Sequence, residues 1–356
     1  MNLDSLRNKI DSIDCELIRL LNERIRLAGN IGEVKKRDGV AVYDPGREEE
    51  VFRKLGALNE GPLDDRALRA IYREVISAAR ALQRQLCVAY LGPEATYTHQ
   101  AAMKHFGANT QYRSLDSVRE VFECVRRGEA DCGVVPIENS TQGTVIAALD
   151  MLVESDLKIV AQIDMPISHC LISHAPLDGI REVHSKDNAL GQCRNWIARN
   201  LPSAELVESA STARAVRHAR ENKHAAAIAS RVAAELYGVP VVCENIQDKA
   251  ENITRFLVIG KQPSPPREGG RDKTSLVFTL HSQPGTLVRA IACFSSRGIN
   301  MVKIESRPSR QKLWDYLFFI DIIGHFEDPP VREAFDELTG VCPFVKWLGS
   351  YPDTVE

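Results

Sequence analysis

The chain has 356 residues, 44% of them hydrophobic and 26% charged, with a formal charge of −3; that length suits two or three domains of roughly 150 residues each. The charge carries no basic stripe for nucleic acid, which favours small molecules as partners, and no apolar run approaches the roughly 18 residues of a membrane span. The acid-bearing start MNLDSLRNKI has neither a signal-peptide core nor a transit-peptide bias, so a cytoplasmic protein is expected.

From about residue 4 to 36 no Pro intervenes, and Ile10, Ile13, Leu17, Leu20, Leu21, Leu27 and Ile31 recur at helical spacing. At 1.5 Å per residue this helix spans roughly 50 Å, so it needs a long partner, either later helices or a second chain. Asp44-Pro45 reads as an N-cap with Pro at the first helical position, opening a helix to about Leu58, and a third helix covers about residues 64–84. From Leu86 short apolar runs (CVAYLG, CGVVPI, KIVAQI) alternate with helical stretches at 117–127 and 147–154, the pattern of an α/β domain. Further strands at 170–172, 225–229 and 256–259 and helices at 189–200 and 212–221 carry it to about residue 261. QPSPPREGGRD, residues 262–272, reads as a linker. Strands at 275–280, 301–305, 317–323 and 344–349 with helices at 286–296 and 330–338 then follow in the order βαββαβ, a ferredoxin-like arrangement. The expected domains are therefore 1–85, all-helical; 86–261, two-lobed α/β; and 273–356, α+β. Nine cysteines, scattered from Cys15 to Cys342, include no C-x-x-C pair, which predicts reduced thiols and no metal.

Some polar groups sit where a dry core should be. At 3.6 residues per turn Arg24 projects about 20° from Leu17 and Ile31, and Lys35 about 20° from Arg24. Burying unpaired cations costs several kcal/mol, so either they snorkel outward or an anion meets them. Arg7 points about 100° away from Arg24, and is expected to reach a different chain more easily than its own helix's pocket. Arg47 and Glu48 in the second helix and Gln83 in the third intrude on apolar faces in the same way.

With these positions the first 85 residues resemble the all-helical class of chorismate mutase, a domain-swapped dimer. The resemblance implies that Arg7 is a cation given to the partner's site, that Arg24 and Arg47 grip substrate carboxylates, and that Lys35 and Gln83 flank the breaking ether oxygen. Glu48, with Asp44 nearby, falls at the substrate hydroxyl, and Ala79 stands where some members carry Ser. The strings GPEATYTHQAA from Gly92, VPIENSTQGTV from Val135 and NITRFLVI from Asn252 resemble the prephenate dehydratase family. They imply two α/β lobes with substrate in the cleft. Thr254 is then the group at the departing hydroxyl, Glu138, Asn139 and Gln192 are further catalytic candidates, and Ser140, Thr141 and Arg255 are binding candidates. Arg255 reads equally as an anion clamp or a structural ion-pair partner. The stretch Ser185-Lys186-Asp187-Asn188 departs from the family pattern.

The C-terminal segment resembles the ACT regulatory family. Gly285, Thr286 and Leu287 match its Gly-Ala-Leu turn at a helix start, where free N–H groups hold a carboxylate. Glu305, Ser306, Arg307 and Pro308 match the string that completes a phenylalanine site. Together the three resemblances imply a family converting chorismate to prephenate and prephenate to phenylpyruvate, without cofactor, under phenylalanine feedback, as a homodimer or higher even-numbered oligomer. Two alternatives are a dehydratase whose helical domain only clamps a dimer, and a non-catalytic small-acid sensor.

Overall fold

A computed structural model describes residues 2–249, 251–267, 271–308 and 316–353. The chain divides into two compact units, residues 1–87 with 105–111 and residues 88–104 with 112–356.

The first unit is helical. Helix α1 (Leu3–Asp38) runs until Gly39, whose φ of 68° ends it, and α2 (Pro45–Leu58) and α3 (Asp65–Gln83) follow. Asn2, Asp44 and Asp64 cap the three helices by accepting from the backbone N–H groups of Ser5, Arg47 and Ala67, each cap contributing about 1 kcal/mol. Only the C-terminal half of α1 packs. Residues 2–23 are all exposed, so about 33 Å of helix carries Leu6, Ile10, Ile13 and Leu17 into solvent. Gly32 is the buried residue of α1, and a Cβ there would stand 2.6 Å from Gln83 Cγ. Glycine is therefore what lets α3 approach.

The second unit holds three sheets. The first contains β1 (Cys87–Leu91), β2 (Gln111–Leu115), β3 (Cys132–Asn139), β4 (Gly143–Thr144), β5 (Lys158–Pro166) and β11 (Ile253–Gly260), in the order β2-β1-β3-β11-β5 with β4 on β3. Helices α4 (Tyr97–Phe106), α5 (Val118–Arg127) and α6 (Ile146–Glu154) connect its strands. The second contains β6 (Cys170–Ser173), β7 (Glu182–Ser185), β8 (Glu205–Glu208), β9 (Ala225–Ala229) and β10 (Val241–Cys243), ordered β10-β6-β9-β7-β8. Alternation splits its core: Leu171, Ala226 and Ile228 pack with α7 (Asp187–Gln192) and α8 (Arg194–Asn200), while Ile172, Ala227 and Ala229 pack with α9 (Thr212–Glu221) and α10 (Arg231–Tyr237). The helix expected at 189–200 is broken at Cys193 into α7 and α8.

The chain leaves the first sheet after β5 and returns to it as β11, pairing antiparallel with both β3 and β5. The ends of β3, β5 and β11 thus meet where the two lobes join. β11 begins at Ile253, three residues earlier than the apolar run suggests, which brings Thr254 and Arg255 into the ladder.

The third sheet contains β12 (Asp272–Thr279), β13 (Met301–Pro308), β14 (Tyr316–Ile323) and β15 (Phe344–Pro352), ordered β13-β14-β12-β15, all antiparallel. Helices α11 (Thr286–Ser295) and α12 (Pro329–Val341) close one face over Leu276, Phe278, Ile320 and Ile322, giving the ferredoxin-like arrangement. The other face packs on the first sheet through β15. Gly349 has φ 150°, and a Cβ there would stand 2.2 Å from the Ile159 carbonyl oxygen, so only glycine fits. Lys158 Nζ donates to the Trp347 carbonyl at 2.7 Å, and Lys346 Nζ donates to the carbonyls of Val153 and Ser155. Ser264, in the proline-rich connection, is buried with its hydroxyl on the Val160 carbonyl, so that stretch is tied down where composition reads as a free linker.

Candidate active sites and an effector motif

Arg24, Lys35, Asp44, Arg47, Glu48 and Gln83, from all three helices of the first unit, line one cavity of about 400 Å³. Apart from these residues and Arg80 its walls are apolar, with Leu27, Ile31, Val51 and Ile76 among them. Lys35 Nζ donates to the carbonyls of Ala41 and Val42, both at 3.1 Å, which aims it across the α1–α2 loop. The Arg24 guanidinium lies 5.9 Å from the Tyr72 ring centroid. Asp44 caps α2, and Arg47 pairs with Glu50 at 2.6 Å on an exposed surface. Glu48 meets Arg80 at 2.8 Å, with side chains 17% and 5% exposed. Burial pushes the Glu48 carboxyl above its usual range, against the pull of Arg80. Gln83 Oε1 is buried without a hydrogen-bond partner.

Arg80 is the residue sequence reasoning missed. Its position one residue past Ala79 reads as the edge of an amphipathic stripe, yet it donates to the Phe106 carbonyl from inside the unit. Arg24, Lys35, Arg47 and Arg80 stand against Asp44 and Glu48, so the cavity carries a surplus of positive charge suited to a small dianion. Arg7 is not among the lining residues. It pairs with Asp4 at 3.8 Å on the exposed half of α1, about 26 Å along the helix from Arg24.

In the second unit a polar network spans the lobe junction. Asn139, at the end of β3, donates to Thr254 Oγ1 at 2.8 Å and to Asn252 Oδ1 at 2.7 Å. Its own Oδ1 accepts from the backbone and hydroxyl of Thr141 and from the Gln142 N–H. Gln192, on α7 of the other lobe, donates to Thr141 Oγ1 at 3.0 Å and accepts from Asn252 at 3.0 Å. His169 Nε2 lies 2.6 Å from Gln192 Oε1, and Tyr97 Oη lies 3.1 Å from His169 Nδ1. Burial pushes the His169 imidazole below its usual value. Since Gln192 Oε1 already accepts from Asn252, the ring proton belongs on Nε2. Ser140 Oγ accepts from the Ile253 N–H, fixing the turn after β3 to β11. Thr254 accepts from Asn139, which leaves the hydroxyl's own proton for an acceptor in the cleft.

Two expected site residues are placed elsewhere. Glu138 and Arg255 face each other across β3 and β11, one position from the Asn139–Thr254 pair, so alternation turns them to the reverse side of the sheet. There Arg255 pairs with Asp164 at 3.1 Å and Glu138 at 3.3 Å. Of its two sequence readings, the structural ion pair is what these contacts display. Ser185 is buried with its hydroxyl on Ile228, while Lys186 and Asn188 are exposed.

Family models match in order along the chain: chorismate mutase type II over residues 6–84, prephenate dehydratase over 88–264 and the ACT domain over 274–340. The bifunctional chorismate mutase/prephenate dehydratase of Aquifex aeolicus is 46% identical over 98% of each chain. The chain belongs to the bifunctional chorismate mutase/prephenate dehydratase family. Its counterpart from Neisseria gonorrhoeae is 42% identical over 98% of this chain and 96% of its own. A prephenate dehydratase from Arthrobacter aurescens, solved in complex with L-Phe, superposes with a TM-score of 0.70 at 35% identity, covering 75% of this chain and 90% of that one. The protein is thus both an isomerase and a lyase.

In the ACT domain Gly285, with φ 81°, caps α11 without a side-chain bond. Thr286, bulkier than the family's Ala, turns its hydroxyl back onto the carbonyls of His281 and Gln283, both at 3.0 Å, and Leu287 is half-buried. The Glu305-Ser306-Arg307-Pro308 string lies within β13 rather than after it, and alternation divides it. Ser306 pairs with Phe318, on the helix-covered side. Glu305 pairs with Lys303 at 3.4 Å, and Arg307 binds Asp150 and donates to the Ile146 carbonyl at 3.2 Å, both on α6 of the dehydratase.

One group among the described residues, Glu182, His184 and His218, brings three donor atoms within 4.8 Å of one another. The two imidazoles lie tilted face to face, centroids 4.1 Å apart and planes 35° from parallel, and Glu182 already engages His184 Nε2 at 2.9 Å.

Proposed function

We propose that the helical cavity rearranges chorismate and that the Asn139–Thr254 network dehydrates prephenate. The mutase reading rests on the surplus of cations in an otherwise apolar cavity. The rearrangement breaks one C–O bond and forms one C–C bond with no proton moved. It therefore needs a compact substrate conformer and positive charge near the ether oxygen, where negative charge builds. Arg24 and Arg47 hold the carboxylates, Lys35 and Gln83 meet the ether oxygen, and Glu48 takes the hydroxyl. The Gln83 amide, unpartnered at its oxygen, presents its N–H₂ once turned over.

For dehydration, loss of carbon dioxide and hydroxide leaves the electron pair of the breaking C–C bond in the new aromatic ring. Thr254 donates a hydrogen bond to the departing oxygen, which takes up a proton from solvent and leaves as water, while Asn139 holds the Thr254 hydroxyl in place. Ser140, Thr141 and Gln192 shape the cleft around it, and His169, Tyr97 and Asn252 keep the Gln192 amide in one orientation. The same chain acts in the cytosol as an even-numbered oligomer in which α1 packs on a second copy and Arg7 completes the partner's cavity. Phenylalanine binds at the uncapped start of α11, around Gly285, Thr286 and Leu287, together with Ser306 and Pro308, and lowers dehydratase turnover.

Two substitutions test the assignment. Thr254→Val is expected to lower the dehydration rate at least 100-fold with chorismate turnover unchanged. Lys35→Ala is expected to lower chorismate turnover by a similar factor while sparing dehydration of supplied prephenate. An unchanged rate in either variant removes the role assigned to that residue.

A further inference from the structure

Strand β13 of the regulatory domain presents Lys303, Glu305 and Arg307 on the side that faces the dehydratase. A bulge between Met301 and Lys303 sets this register, because Met301 opposes Ile322 whereas Lys303 opposes Asp321, so the strand turns over at Val302. Lys303 Nζ lies 2.9 Å from Glu138 Oε2, and both side chains are partly buried, at 19% and 33% exposure. The same Glu138 carboxylate accepts from Arg255. Glu138 directly precedes Asn139 and Arg255 directly follows Thr254, and the β3–β11 register is broken immediately afterwards, between Arg255 and Phe256. The ion-paired group and the Asn139–Thr254 hydrogen bond are therefore opposite sides of one two-residue segment of paired strand. Glu138 and Asn139 share one peptide bond, so the backbone that anchors the one also orients the other.

We infer that Lys303, though part of the regulatory domain, is a positioning residue of the dehydratase site: through Glu138 it holds the end of β3 in the register that puts Asn139 on Thr254. The inference rests on the reading that Thr254 and Asn139 form that site. It also gives the divided string a purpose. Ser306 and Pro308 face the effector, while Glu305 and Arg307, on alternate positions of the same strand, bind Lys303 and helix α6. A shift of β13 on one side is then felt as a shift of Glu138 on the other, and the two sides differ in their contacts as allosteric coupling requires.

The test uses the full-length protein with Lys303→Met, Lys303→Arg and Glu138→Gln, each alone, and Lys303→Met combined with Glu138→Gln. Dehydratase kcat and KM are measured on supplied prephenate with and without phenylalanine, with chorismate turnover alongside. Lys303→Met is expected to lower dehydratase kcat about tenfold or more with KM little changed, the mark of lost alignment. Lys303→Arg should restore most of it, and phenylalanine should no longer alter the residual rate. In the Glu138→Gln background Lys303→Met should add little, because both changes remove one ion pair. A wild-type rate and phenylalanine response in Lys303→Met, or an equal loss in both backgrounds, overturns the inference. Thr254→Val separates the two levels: if it leaves dehydration intact, the site reading fails, whereas if it abolishes dehydration and Lys303→Met changes nothing, the site stands and the positioning role of Lys303 falls.

Discussion

Glu48, Arg80 and His105 show how burial decides what single groups do. Arg80→Met leaves the Glu48 carboxyl without its cation, and breaking such a pair costs about 3 kcal/mol; chemical denaturation followed on the helical unit should read that loss. Glu48→Gln keeps a hydrogen-bond acceptor for Arg80 and should cost less. His105 accepts or donates at Tyr43 Oη over 2.7 Å, and burial, then Arg80 and Arg73, hold its imidazole down at about 3. A depressed folded value means that the neutral ring is the native form. Its stability contribution is complete above the unfolded value of about 6.5 and is lost as pH falls towards 3, at about 1.4 kcal/mol per pH unit. Denaturation of the helical unit at pH 7, 6, 5 and 4 should show that decline, and His105→Gln should flatten it. Arg24, Lys35, Arg47, Glu48 and Gln83 were legible because helical periodicity makes a misplaced polar group visible. Arg80 was not, since an Arg beside a stripe is ordinarily solvent-facing. His169 and Asn252 belong to a network joining residues more than twenty positions apart, which no local period can reveal.

Elements carry the next layer. The length of α1 was readable from an unbroken apolar repeat, and its exposed half leaves Ile10, Ile13 and Leu17 in solvent, the surface that the proposed second copy would cover. If α1 packs on a second copy as proposed, replacing Ile13 and Leu17 together by Glu should yield protein of lower assembly state in sedimentation and, with Arg7 no longer delivered to the partner, chorismate turnover reduced at least tenfold. Gly32 tests close packing without touching substrate. Its Cβ would press on Gln83, so Gly32→Ala should lower chorismate turnover by displacing Gln83, while far-ultraviolet helicity stays unchanged. Short strands were the hardest elements to read. β7, β8 and β10 have three or four residues each, too few for alternation to emerge, and α7 and α8 read as one helix because only the Cys193 backbone separates them. In β13 the apolar run suggested a strand end at Glu305, and the bulge at Val302 that decides which residues face the dehydratase leaves no mark in composition.

At the level of the molecule, the order helical, two-lobed α/β, ferredoxin-like was legible because the dominant period changes near residues 86 and 272. The return of β11 between β3 and β5 was not, as it pairs strands more than eighty residues apart. That return matters most for the proposed function: it places Thr254 against Asn139 on one side of the sheet and Arg255 against Glu138 on the other, next to the Lys303 contact from the regulatory strand. The mutase and dehydratase sites lie in different units, so each should be lost without the other. The direct measurement is a time course with purified protein and chorismate alone, following chorismate loss and phenylpyruvate appearance with and without phenylalanine. Chorismate should disappear in both cases, and phenylpyruvate should form without phenylalanine and be suppressed by it. Persistence of chorismate while supplied prephenate is consumed, or phenylpyruvate formation indifferent to phenylalanine, would contradict the account.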